Sequence, residues 1–144
     1  SQCRSLLNAI DELPSNHFDF INAEQAFEHI PDPKGVMKKL TASLQDHGVI
    51  RIAVPDASRH ESYLRSANWK ARKDSFHPLE HINGFTHQSL QRLGEDCGLH
   101  VVSPPIFPSV IRNPIAFIKQ CIGNIYYRKR GTKIYFRKST HAKD

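Results

Sequence analysis

Two histidines stand where an imidazole could move a proton. His29 follows Glu28 in Phe27-Glu-His-Ile-Pro31, and His81 opens His81-Ile-Asn-Gly-Phe-Thr86. A neutral imidazole with a reference pKa of about 6.5 suits general-base work on a hydroxyl or amine. Glu28 and, more remotely, His77 are further candidates for that work. Each also has a plainer role: His29 can hydrogen-bond its junction, Glu28 can cap the next turn, and His81 can steady a loop. The histidines raise a metal question too, because His77-x-x-x-His81 has ligand spacing on a helix. Pro78 would have to start that helix, His87 belongs to a separate turn, and no nearby cysteine completes a set. No metal site is expected.

The elements that must position these side chains are readable around them. Phe18–Ala23 is rich in Phe and Ile, as in a strand buried on both faces. Asp32 can cap a helix whose first position suits Pro33. Val36, Met37, Leu40 and Leu44 recur at helical spacing, and His47-Gly48 is the expected end of that helix. Val49–Val54 is a second buried strand. Strand, helix and strand make one βαβ unit, which puts Asn22, Ala23, Glu24 and Gln25 at a carboxyl edge, where open α/β sheets bind ligands.

Further along, residues 57–76 are polar and basic around Tyr63, Leu64 and Trp69, consistent with a short helix and loop over that edge. Trp69 and Phe76 could form an aromatic wall there. Thr86 can cap a helix carrying Leu90 and Leu93, closed by Cys97-Gly98 before a strand at Leu99–Ser103. Four prolines break up residues 104–114, Asn113-Pro114 opens an apolar helix through Ile115, Ile118 and Ile122, and Lys133–Arg137 is a last strand.

The order of motifs resembles a class I S-adenosylmethionine-dependent methyltransferase, from before its fourth strand onward. The resemblance rests on Phe18-Asp-x-Ile21 leading into Glu28-His-Ile-Pro31-x-Pro33. It continues with Gly48 to Pro55, and then with His81-Ile-Asn83-x-Phe85-Thr86-x-x-Ser89-Leu90 running to Gly98-Leu-His-Val101. It implies a Rossmann-like α/β fold, mostly parallel, with Phe18–Ala23, Val49–Val54 and Leu99–Ser103 as strands four, five and six. Lys133–Arg137 would be the antiparallel seventh, inserted between five and six. It implies S-adenosylmethionine as cofactor, with Asn22, Ala23, Glu24 and Gln25 bordering its methionine end and the pocket of a small-molecule acceptor. His29 and His81 would be the catalytic candidates. The expected organisation is a partial methyltransferase domain over 1–103, completed by an insertion helix and basic strand and tail over 104–144. The glycine-rich cofactor turn and the ribose-binding acidic residue have no counterpart here. The expectation is therefore a chain lacking the N-terminal strands, inactive in isolation and without useful cofactor affinity alone.

Composition sets the outer bounds. A chain of 144 residues, 39% hydrophobic and 24% charged, fits one globular domain. No apolar run approaches the ~18 residues of a membrane span. Cys3, Cys97 and Cys121 are widely spaced and fit reduced thiols of a cytoplasmic protein. The net charge of +6 is uneven: 11 Lys/Arg face 13 Asp/Glu over residues 1–111, and 9 face 1 over 112–144. Aromatics interleave with that charge in Ile125–Lys138, a pattern open to RNA contact or a peripheral membrane surface. The favoured reading is a solvated hairpin whose Ile134 and Phe136 complete the sheet. A non-catalytic remnant or binding module is the alternative to the enzyme.

Overall fold

The computed structural model describes residues 10–60, 62, 65, 66, 70, 81–103, 115, 118 and 131–139. Four strands form one sheet: β1 (Phe18–Glu24), β2 (Leu44–Pro55), β3 (Leu99–Val102) and β4 (Gly131–Lys138), in the spatial order β1-β2-β4-β3. β1 and β2 are parallel, and β4 runs antiparallel to both β2 and β3. The sheet is thus mostly parallel, with a reversed last strand inserted between its second and third members. Ile134 and Phe136 are buried in the sheet, as the sheet-completing reading of the tail requires.

Helix α1 (Pro33–Ser43) begins where local chemistry says it should. The Asp32 carboxylate accepts from Gly35 N at 2.9 Å, and Pro33 takes the first helical position. Its end differs from the sequence reading. The helix stops at Ser43, and Leu44, fully buried and extended, opens β2 directly. The reason is not local: the Ala42 and Ser43 carbonyls accept from Asn16 N and His17 N, on the chain entering β1, at 2.9 and 2.8 Å. Those groups are satisfied without another helical turn. Gly48 is therefore no helix cap. It lies where the β1–β2 register shifts, and a Cβ there would come within 2.9 Å of the Phe18 carbonyl oxygen.

β2 matches a strand buried on both faces over Val49–Val54, apart from half-buried Arg51. β1 does not. It stands at the edge of the described sheet, none of its residues is fully buried, and Phe20 is 38% exposed. Helix α2 (His87–Glu95) carries a reciprocal capping box between Thr86 and Ser89. After α2 the chain turns through Gly98 at φ +78°, a left-handed conformation that favours glycine, into β3.

Both helices pack on one face of the sheet. Met37 and Leu40 of α1 and Leu90 of α2 join Ile50, Ile52, Ile134, Phe136 and Leu99 in one core. Where α2 crosses β4 the approach is so close that a methyl group on Gly94 would stand 2.3 Å from the Phe136 ring. Beyond the end of α2, Asp96 pairs with Lys34 of α1 at 2.8 Å. Cys97 is a free thiol, and burial pushes its pKa up. No helix of the described residues is long and apolar enough to cross a membrane. Ile115 and Ile118 are helical and exposed. The rest of the helix expected over 113–122, the basic stretch 125–130, most of residues 57–76, Cys3 and Cys121 lie outside the described residues.

Candidate active site

The parallel pairing of β1 and β2 brings their carboxyl ends side by side. Ile21, Asn22, Ala23 and Glu24 stand opposite Ile50, Arg51, Ile52 and Ala53. Asn22, Ala23 and Glu24 are thus the last three residues of β1, and Gln25 follows the strand at φ +52°. That left-handed conformation is uncommon outside glycine, and it is held by Gln25 N donating to the Ala53 carbonyl of β2 at 2.8 Å. Asn22, Ala23 and Glu24 line an open cavity of about 350 Å³, together with Ala26, Phe27 and the apolar side chains Ile10, Leu13, Ile30, Val36 and Leu40. Gln25 is not among its walls. An apolar hollow edged by a few polar groups is the usual make-up of a small-ligand site.

Arg51 organises the polar rim. Its Nη1 donates to the Asn22 side-chain oxygen and, at 3.0 Å, to Glu24 Oε2. Burial works against the guanidinium charge, but the hydrogen bond and attraction to Glu24 outweigh it and hold the pKa above its ordinary value. On the other side of β2, Tyr135 is in register with Arg51 and Lys133 with Ala53. Burial and the neighbouring Arg51 charge push the Lys133 pKa down. The sequence reading missed Arg51. The signal was present, since a lone cation inside the apolar run Val49–Val54 requires a partner when folded.

The two histidines meet beyond this rim. After Gln25 and Ala26 the chain makes a 3-10 turn, Phe27–His29, which buries Phe27 and Glu28 and leaves His29 exposed. The segment from His81 to Thr86 is fastened onto that turn. Ile82 N and Asn83 N both donate to the Glu28 carbonyl, at 2.9 and 3.1 Å. Asn83 Nδ2 donates to the carbonyls of Phe27 and Ile30, at 3.2 and 2.6 Å. These four bonds place the His81 ring 4.9 Å from the His29 ring, centre to centre. The His29 Nε2 lies 3.9 Å from Glu28 Oε1. Glu28, His29 and His81 thus share one spot, which no local pattern announced. Asn83 is the residue that holds it together. His77, Trp69 and Phe76 lie outside the described residues, and His87 opens α2.

Comparison with known proteins bears on the fold and the family. A methyltransferase from Archaeoglobus fulgidus, described as SAM dependent, superposes with a TM-score of 0.58 at 15% identity, over 94% of this chain and 66% of that one. A methyltransferase of Haloferax volcanii, solved with the Trm112 methyltransferase activator, superposes at 0.56 and 17% identity, over 94% of this chain and 60% of that one. The 1,6-didemethyltoxoflavin-N1-methyltransferase of Burkholderia thailandensis, solved with its substrate and S-adenosylhomocysteine, gives 0.54 and 16%, over 90% and 48%. At such identities the likeness is one of fold, and the chain spans about half to two-thirds of the length of these proteins. A search of curated proteins gives no match. A family model for the methyltransferase domain matches residues 4–104, and the chain belongs to that family.

Proposed function

We propose that this chain forms the acceptor side of a methyltransferase that moves a methyl group from S-adenosylmethionine to a small molecule. The observation that carries the reading is the parallel β1–β2 pair, whose carboxyl ends set Asn22 and Glu24 beside an apolar cavity, one short turn from His29 and His81. Methyl transfer from a sulfonium is an in-line displacement, so the protein mainly aligns the acceptor and excludes water. Asn22, Ala23, Glu24 and Gln25 border the methionine end of the cofactor in this reading. The Arg51-anchored carboxylate of Glu24 offers an acceptor group to the amino or sulfonium charge. His29 and His81 stand where a proton would leave the acceptor. An apolar hollow suits a small acceptor, and a solved relative in fold holds one.

Saturation-transfer NMR with S-adenosylmethionine tests the reading without requiring tight binding. Saturation should reach the sulfonium methyl and methionine protons more strongly than the adenine protons. Saturation confined to the adenine protons would contradict it.

A further inference from the structure

We propose that Glu28, His29 and His81 form a binding site for a divalent transition-metal ion. One ligand atom from each lies within 4.8 Å of the others. Such a cluster alone would carry little, but Glu28 adds a second observation. It is 1% exposed, and among the described residues neither of its carboxylate oxygens has a hydrogen-bond partner. A buried carboxylate left unsatisfied is costly, and native interiors rarely tolerate one without an ion, water or proton to explain it. Here its Oε1 faces the His29 imidazole at 3.9 Å.

The donor set names the class of ion. Two imidazole nitrogens and one carboxylate suit Zn²⁺, Co²⁺, Fe²⁺ or Mn²⁺ and are a poor match for Mg²⁺ or Ca²⁺, which take mainly oxygen. An ion about 2.0–2.2 Å from each donor would draw the three to roughly 3–3.5 Å of one another, a small movement of side chains. The backbone is already in place, because Ile82 and Asn83 clamp the His81 segment to the turn carrying Glu28 and His29. The His29 side chain is 44% exposed, so the outward coordination positions face the solvent, as in sites that bind a further ligand. This site differs from the His77–His81–His87 set weighed on sequence spacing. It stands on its own geometry, whether or not methyl transfer is the activity. A bound ion would make the imidazoles ligands, and its charge would then acidify an oxygen brought to it.

The test is titration of the metal-free 144-residue chain with Co²⁺, followed by its visible absorption bands, and displacement by Zn²⁺. One equivalent of Co²⁺ should bind, and Glu28→Gln and His81→Ala should each weaken binding by at least about tenfold. Far-UV circular dichroism confirms that each variant keeps its fold. Should Glu28→Gln unfold, His81→Ala, a change at a half-exposed loop residue, decides. No saturable Co²⁺ binding by the unaltered chain, or binding that both variants retain, would overturn the proposal.

Discussion

Asn22 and Arg51 face each other across the parallel ladder of β1 and β2, and the guanidinium of one holds the amide oxygen of the other. Because the same nitrogen also reaches Glu24, one cation fixes both polar residues at the carboxyl end of β1. The polar groups at the end of β1 are therefore held in place by a residue of the neighbouring strand.

That arrangement has a measurable coupling. Arg51→Met should cost about 1 kcal/mol of stability, since Glu24 is well exposed and solvent screens much of the attraction. A double-mutant cycle of Arg51→Met with Glu24→Gln, read by urea denaturation, should return a coupling of roughly 0.5–1 kcal/mol. Additive effects would mean that the bridge does not organise the rim.

Asn83→Ala removes two side-chain hydrogen bonds to the carbonyls of Phe27 and Ile30. Loss of these part-buried bonds should destabilise the chain by about 1–3 kcal/mol. Because the clamp also sets the distance between the rings, the His29 and His81 resonances should both shift in the NMR spectrum, while those of α2 residues stay in place.

Gly94→Ala sets helix propensity against packing. Alanine in a helix interior gains about 1 kcal/mol over glycine. The added methyl would stand 2.3 Å from a ring carbon of Phe136, which is wholly buried. Overpacking of this kind costs about 1–3 kcal/mol. The net result should be a lower urea midpoint, and a higher one would mean that α2 and β4 are less tightly packed than described.

The Lys34–Asp96 pair gives a pH dependence with a definite sign. A hydrogen bond to Lys34, and then its charge, hold the Asp96 carboxyl below its ordinary value of 3.8. Its contribution is present above that value and fades as pH falls through the lowered one. The same bond to Asp96 raises Lys34 above 10.5, so its contribution holds below that value and is lost as pH rises beyond it. The pair is exposed and the effect is small. The difference in urea midpoint between the unaltered chain and Asp96→Asn should therefore shrink as pH falls from neutral to well below 3.8, and also in high salt.

Signals that act within a few residues were legible in the sequence. Asp32 and Pro33 start α1, Thr86 starts α2, and Gly98 makes the turn into β3. The apolar run Val49–Val54 is the centre of β2, and the antiparallel placement of Lys133–Arg137 followed from resemblance. What escaped depends on distant partners. The end of α1 is decided by Asn16 and His17, the exposure of β1 by its place at the sheet edge, and the fate of Arg51 by side chains on a neighbouring strand. Histidines 29 and 81 were each singled out, yet their proximity rests on Asn83 reaching back to the turn after β1. No periodicity encodes such a contact.

The central claim is that the cofactor's methionine end lies against the residues closing β1. The most direct measurement is a titration of the ¹⁵N-labelled chain with S-adenosylhomocysteine, followed by amide chemical shifts. Resonances of Asn22, Ala23, Glu24 and Gln25 should move with increasing ligand, with His29 following, while those of Leu99 to Val102 in β3 stay fixed. Shifts confined to β3 and α2, with the end of β1 unmoved, would contradict the account.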